Sequence, residues 1–236
     1  MKLRLNLPLI IDKNKGVDMF ISFEGLDGSG KTTITQKLVV KLAEMHPEIG
    51  VIWTREPGGR GIREAEKIRE IILDKSSDLS PVAEALLYTT SRRIHLEKVI
   101  WPALEQNQIV VCDRYVDSFY AYQGYARELG IEFVKAITNI VINHTMPDIT
   151  VFLNLTPEES KQRRESTRLV EDRMEQEKLE FHNLVYKGYQ ALIHEDPQRF
   201  MVIDATQTEE EVLQDIINQL HQHPKFIAYL EKHATK

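Results

Sequence analysis

The chain has 236 residues, 42% of them hydrophobic and 28% charged, with a formal net charge of −6. That composition excludes a low-complexity or disordered chain and suits one well-buried domain, while the acidic balance speaks against a grip on nucleic acid, which needs a basic face. The only cysteine, Cys112, excludes an intrachain disulfide and a thiolate metal cluster and points to a reducing compartment such as the cytoplasm.

Residues 1–18 open with Lys2 and Arg4, but their apolar part is short and broken by Asn6 and Pro8. With no small-residue cleavage pattern after it, this stretch is expected to be an N-terminal extension rather than a secretion signal. No apolar run approaches bilayer-spanning length, so no membrane partner is expected. Five apolar, β-prone runs follow, at residues 19–24, 50–54, 108–113, 148–154 and 200–204, separated by longer amphipathic segments. Such alternation predicts an α/β fold, a parallel sheet covered by helices on both faces.

Directly after the first strand, Gly25-Leu26-Asp27-Gly28-Ser29-Gly30-Lys31-Thr32 fits G-x-x-x-x-G-K-[ST], and a helical pattern begins there. Gly25, Gly28 and Gly30 let the backbone turn its N–H groups, including those around Ser29 and Thr33, toward a polyphosphate at the positive end of that helix. Lys31 can reach the β- and γ-phosphates, and the Thr32 hydroxyl can complete the coordination of a Mg²⁺ ion. After the second strand, Pro57 and the glycines of Thr54-Arg55-Glu56-Pro57-Gly58-Gly59 force a turn. That turn presents Arg55 and Glu56 near the loop, or leaves them as a surface pair.

Ser80-Pro81 opens a long helix through about Glu105, on which Tyr88 and Arg92 are four apart and share a face. The pair suits stacking on a base while binding its phosphate, or simple surface packing. After the third strand comes Asp113-Arg114-Tyr115, a Walker-B-like ending. Asp113 can hold the Mg²⁺ shell or orient an acceptor, and Arg114 can bridge donor and acceptor phosphates. Thr156-Pro157-Glu158-Glu159 and Thr208-Glu209-Glu210-Glu211 are capping boxes that start helices. Between them, residues 162–174 mix Arg163, Arg164, Arg168 and Arg173 with acidic side chains, as a solvated loop or as a lid that closes arginines onto transferring phosphates. The next helix, at residues 178–194, is expected to turn Phe181, Leu184, Val185 and Leu192 to the core. Val212, Ile216, Ile217 and Leu220 mark one face of the helix after Thr208.

These elements carry an ordered set of motifs: Phe23-Glu24-Gly25-Leu26-Asp27-Gly28-Ser29-Gly30-Lys31-Thr32-Thr33, Thr54-Arg55-Glu56-Pro57-Gly58-Gly59, Asp113-Arg114-Tyr115, Ala121-Tyr122-Gln123-Gly124 and Ile203-Asp204-Ala205-Thr206. Together they resemble the bacterial thymidylate kinases over residues 19–220, the Thr-Arg-Glu-Pro-Gly-Gly segment being the most discriminating. The resemblance implies a P-loop nucleoside monophosphate kinase fold with a five-stranded parallel sheet. It also implies ATP with Mg²⁺ on the phosphate loop, deoxythymidine monophosphate (dTMP) in an adjoining cleft, transfer to the diphosphate for dTTP and DNA synthesis, and a homodimer.

By the same resemblance Lys31 and Thr32 serve ATP and Mg²⁺, and Asp27 lies near the sugar 3′-hydroxyl of the acceptor. Tyr88 takes the base-stacking position, Arg92 binds the acceptor phosphate, and Gln123 and Arg69 face the thymine edge. Glu56 and Arg114 complete the surroundings of Mg²⁺ and the phosphates, and the stretch from Ala205 to Gln207 passes near the adenine. Where some family members carry an arginine in the phosphate loop this chain has Gly28, so Arg168 is the expected transition-state arginine, supplied by the lid. Phe119 stands where many bacterial members have a small hydroxyl residue facing the base. The expected organisation is an extension (1–18), a catalytic domain (19–222) with its lid at about 162–174, and a tail (223–236). A deoxynucleoside kinase would need a general base and no acceptor-phosphate arginine. A GTP switch would need Asn/Thr-Lys-x-Asp after the loop, whereas the nearest approach, Asn14-Lys15-Gly16-Val17-Asp18, precedes it.

Overall fold

The computed structural model describes residues 18–59, 61–167 and 172–233; the expected extension, apart from Asp18, and Arg168 lie outside them. Strands β1 (Met19–Glu24), β2 (Val51–Arg55), β3 (Ile109–Asp113), β4 (Ile149–Asn154) and β5 (Phe200–Asp204) form one parallel sheet in the order β2-β3-β1-β4-β5. The helices that cover it are α1 (Lys31–Met45), α2 (Arg63–Leu73), α3 (Pro81–His95), α4 (Trp101–Glu105), α5 (Val116–Phe119) and α6 (Ile131–Ile142). They continue with α7 (Pro157–Thr167), α8 (Leu179–Glu195), α9 (Glu209–Leu220) and α10 (Pro224–His233).

β1 and its neighbours are buried on both faces, which is why they read as unbroken apolar runs rather than alternating ones. Side chains of period two still divide between two cores. Phe20, Val110 and Phe152 face the layer of α6 and α8, whereas Ile21, Val111 and Val151 face α1 and α9. Both predicted capping boxes form. Thr156 Oγ1 accepts from the Glu159 N–H at 3.3 Å while Glu159 accepts from the Thr156 N–H at 2.8 Å, and Thr208 with Glu211 does the same at 3.3 and 3.0 Å.

The structure departs from expectation at five places. β2 starts and ends one residue later than predicted, which brings Arg55 into the sheet opposite Asp113. The long third helix widens into a π-turn at Leu96–Ile100, where the Trp101 N–H bonds to the Leu96 carbonyl. Pro102 follows and cannot supply the regular bond one turn back. Residues 162–167 of the charged connection are helical, as the last part of α7. Leu184 faces outward, 38% exposed. Finally, the C-terminal tail contains α10, whose Phe226 and Tyr229 are fully buried and whose Tyr229 hydroxyl donates to the Asn107 carbonyl at 2.6 Å. No helix among the described residues is long and apolar enough to cross a membrane.

Candidate active site

The chain leaves β1 between β3 and β4, the switch point at which ligands gather beyond strand ends in open α/β sheets. The loop that follows depends on backbone conformations a side chain would disturb. Gly25 has φ +140°, and a Cβ there would sit 2.6 Å from the Leu153 carbonyl oxygen. Gly30 caps α1 in the left-handed region and brings no side-chain acceptor to the first turn, so the N–H groups of that turn are left to an anion. Lys31 is nearly buried, its Nζ donating to the Leu26 carbonyl at 2.7 Å and to Ser29 Oγ at 3.2 Å. Burial, reinforced by Arg114, pulls its ammonium down to about 8. Thr32 Oγ1 donates to Asp113 Oδ2 at 2.5 Å, bringing together two oxygen ligands of the kind a hard divalent cation takes.

Beside the loop, Arg114 follows β3 with φ +68°, a conformation uncommon for a residue with a long side chain. Its guanidinium is anchored on three sides: Nη1 donates to the Gly25 carbonyl at 3.0 Å and Ser118 Oγ at 2.9 Å, and Nη2 donates to Asp27 Oδ1 at 2.5 Å. The Tyr122 hydroxyl donates to the other Asp27 oxygen at 2.9 Å. Burial pushes the Asp27 carboxyl up, but Arg114 and Lys31 outweigh it and hold the group well below the usual carboxylate range. Behind this pair lies Glu24, fully buried, which accepts from the Tyr115 N–H at 2.8 Å and from the Tyr189 hydroxyl at 3.2 Å. Burial and then the nearby Asp117 raise Glu24 to about 7.

At the other end, α3 contributes Arg92, whose side chain is 2% exposed. Its Nε donates to Glu56 Oε2 at 2.7 Å and its Nη2 to the Tyr115 carbonyl at 3.2 Å, while its buried Nη1 has no partner among the described residues. An unpaired guanidinium nitrogen in so dry a place is costly unless an anion arrives to accept from it. Glu56 spends its second oxygen on His95 Nδ1 at 3.1 Å, so both carboxylate oxygens already hold neighbours in place. Arg69 donates to the Pro57 carbonyl at 2.9 Å. Tyr88 and Phe119 lie with ring centroids 6.3 Å apart. Gln123 comes from a second π-helical segment, Tyr120–Ala126, and its Nε2 donates to Glu84 Oε1 at 2.9 Å.

One cavity of about 500 Å³ joins these ends. Asp27, Gly28, Ser29, Gly30, Lys31, Thr32 and Thr33 line it on the loop side, with Ala205 and Gln207 beyond β5. Glu56, Arg69, Tyr88, Arg92 and Gln123 line the far side, with Asp113 and Arg114 between. Of the sequence-predicted site residues, only Gly25 and Arg168 are missing from this wall. Gly25 lies behind the loop against β4, and Arg168 is outside the described residues. Arg163, Asp172 and Met174 line the cavity as well, and were not singled out one by one. Arg164 is buried instead, donating to Ser160 Oγ at 2.9 Å. Sequence reasoning also passed over Glu84, although it sits one turn before Tyr88 on the same helix face, a spacing that could have revealed it.

Comparison with known proteins bears on the same residues. A family model described as thymidylate kinase matches residues 23–216. A thymidylate kinase of Mycoplasmopsis agalactiae is 58% identical over 208 residues, covering 88% of this chain and 97% of the relative. One from Mycoplasma mobile is 47% identical over 203 residues, covering 85% and 97%. The crystal structure of thymidylate kinase from Ehrlichia chaffeensis superposes with a TM-score of 0.71 at 32% identity, covering 86% of this chain and 98% of that one. With the motifs in order, the cavity assembled from them and the match spanning most of the chain, this protein belongs to the thymidylate kinase family.

Proposed function

We propose that the chain transfers the γ-phosphoryl group of ATP to dTMP, giving ADP and the diphosphate, a step toward dTTP for DNA synthesis. The observation that carries this reading is the pairing of a phosphate loop at one end of the cavity with Arg92 at the other, its buried Nη1 unpartnered. A phosphate-bearing acceptor satisfies that nitrogen; a nucleoside leaves it orphaned.

The roles follow from position. The loop amides and Lys31 hold the donor's β- and γ-phosphates. Thr32 and Asp113 would hold Mg²⁺, which supplies charge neutralisation between those phosphates. Glu56 orients Arg92 and, lining the same cavity as Thr32 and Asp113, would add a carboxylate to the surroundings of Mg²⁺. Asp27, tied to Arg114 and Tyr122, meets the acceptor sugar, and Tyr88 stacks on the base. Arg69 and Gln123 face the base edge. Ala205 and Gln207 flank the adenine. An acceptor phosphate oxygen is anionic and nucleophilic already, so no general base is assigned, and Arg114 between the two phosphate sites stabilises charge as it moves.

The lid-arginine subtype belongs to this reading too. The phosphate loop carries no arginine, and residues 162–174 are rich in them, with Arg163 already at the cavity wall. Arg168 is assigned the transition-state charge, so Arg168→Ala should lower kcat far more than it raises KM for dTMP; an equal effect on both removes Arg168 from that role. The domain limits, 19–222 with a C-terminal tail, and the cytoplasmic location expected from the sequence are kept. A homodimer is supported by exposed Val82 and Leu86 on α3 and exposed Phe133 and Ile140 on α6, two helices that pack against each other.

A coupled ADP-release assay with ATP and Mg²⁺ tests the whole reading against dTMP, dUMP, thymidine and no acceptor. Strong turnover with dTMP and little with thymidine is the expected outcome. Preference for thymidine would make the protein a nucleoside kinase, and turnover indifferent to acceptor would leave a nucleotide-gated switch.

A further inference from the structure

We propose that Glu84 is a positioning residue for base selection. It holds the Gln123 amide with its nitrogen turned away from the cavity and its oxygen toward the acceptor base, so the site favours a base whose facing ring nitrogen carries a hydrogen. The inference rests on the acceptor reading above and assigns a role to a residue outside the motifs.

Glu84 is 1% exposed and is surrounded by donors. Its Oε1 accepts from Gln123 Nε2 at 2.9 Å and Arg127 Nε at 3.3 Å, and its Oε2 accepts from Arg127 Nη2 at 3.4 Å and from Arg173 Nη2. Burial pushes the carboxyl up, but the bond from Gln123 and the charges of Arg127 and Arg173 outweigh it and keep the group ionised. An ionised carboxylate has no hydrogen to give. Whatever else the Gln123 amide touches, the branch facing Glu84 must therefore be its NH₂. Gln123 lines the cavity, and its Oε1 has no partner among the described residues. The base edge in that part of the cavity consequently meets an acceptor.

An acceptor at that place suits the N3–H of thymine or uracil and opposes the N3 lone pair of cytosine. A site that demands a particular hydrogen bond rejects the analogue lacking it more strongly than an apolar wall rejects a change of size. Selection against a cytosine ring is thus set by the charge state of a side chain on another element. If residue 84 were a neutral amide it could accept or donate, and Gln123 would be able to turn over and offer its NH₂ instead.

The test is the ratio of kcat/KM for dTMP over dCMP, measured in the wild type and in Glu84→Gln. The variant should lower that ratio at least tenfold while leaving the ratio of dTMP over dUMP within about threefold, because uracil shares the N3–H. A second arm places Glu84→Gln in a Gln123→Leu background, where its effect on the dTMP/dCMP ratio should vanish if Glu84 acts through the amide. Should Glu84→Gln alone fail to fold, Glu84→Gln with Arg127→Gln keeps the cluster of Glu84, Glu177, Arg127 and Arg173 electrically balanced and is measured in its place. An unchanged dTMP/dCMP ratio, with both substrates weakened equally, overturns the proposal and leaves Glu84 a structural anchor. A wild type that does not prefer dTMP to dCMP overturns the functional reading first, before any variant is made.

Discussion

At the scale of single residues, the site is organised by charges that pay for one another's burial. Lys31 sits in the phosphate loop with its ammonium drawn down to about 8, because burial and Arg114 disfavour the proton more than Asp27 and Asp113 favour it. Nucleotide phosphates brought beside it restore the proton. Binding of ATP at pH 8 should therefore take up roughly half a proton per site through this group, and Lys31→Arg should abolish that uptake, since a guanidinium is charged throughout. Calorimetry in buffers of different ionisation heat measures it; equal uptake by both proteins would show that Lys31 is already fully charged. Arg92 is the counterpart at the acceptor end. Arg92→Lys keeps a positive charge near Glu56 but loses the fork that supplies Nη1. KM for dTMP should rise roughly thirty-fold, about 2 kcal/mol, as expected for a charge-assisted bond. An unchanged KM would show that Nη1 does not meet the acceptor phosphate.

Secondary-structure elements show where local chemistry suffices and where it does not. Both capping boxes were legible because every group they need lies within four residues, and each forms as a reciprocal pair. Thr208→Ala should cost about 1 kcal/mol in denaturant unfolding with kcat unaffected, since the Thr208 side chain is engaged in capping α9 and does not itself line the cavity. A loss of activity without a loss of stability would give Thr208 a part in nucleotide binding. The two π-segments were not legible. Residues 120–126, with Gly124 and three tyrosines among seven, give no local pattern for a widened turn, yet the Arg127 N–H reaches back to the Tyr122 carbonyl at 2.8 Å. This widened turn is the segment that brings both Tyr122 to Asp27 and Gln123 to Glu84. Leu184 shows a related limit, because helical spacing defines an apolar face without saying where its edge meets solvent.

For the molecule as a whole, stability and site share the same buried carboxylate. Glu24 ends β1 and touches Tyr115 after β3, Ser118 on α5 and Tyr189 on α8, so it ties the central strand to the layer above it. Its folded pKa of about 7 lies above the ordinary 4.5, so the native state holds a proton there that the unfolded chain releases. The sign follows: Glu24 makes folding less favourable as pH rises from about 4.5 to 7, and its penalty is fully present above that window. Glu24→Gln should accordingly flatten the fall in unfolding free energy between pH 5 and 8 relative to wild type, read from denaturant midpoints. Parallel pH curves for the two proteins would show that Glu24 is ionised in both states.

The sequence by itself determined the α/β class, the five strands to within a residue, the phosphate loop and the family. Each of these rests on short-range signals: apolar runs, turn-forming glycines, and a motif whose groups act through adjacent backbone. It also named most of the cavity wall, because strand ends carry ligands in such sheets and Asp113, Arg114, Glu56 and Asp27 all lie at strand ends. Only the tertiary structure decided how those residues are paired. Arg92 and Glu56 are 36 positions apart, Arg114 and Asp27 are 87 apart, and Glu84 and Gln123 are 39 apart. Burial makes each of these contacts compulsory, since a charge removed from water must find a partner, and which partner it finds depends on sheet order and helix packing rather than on any local pattern.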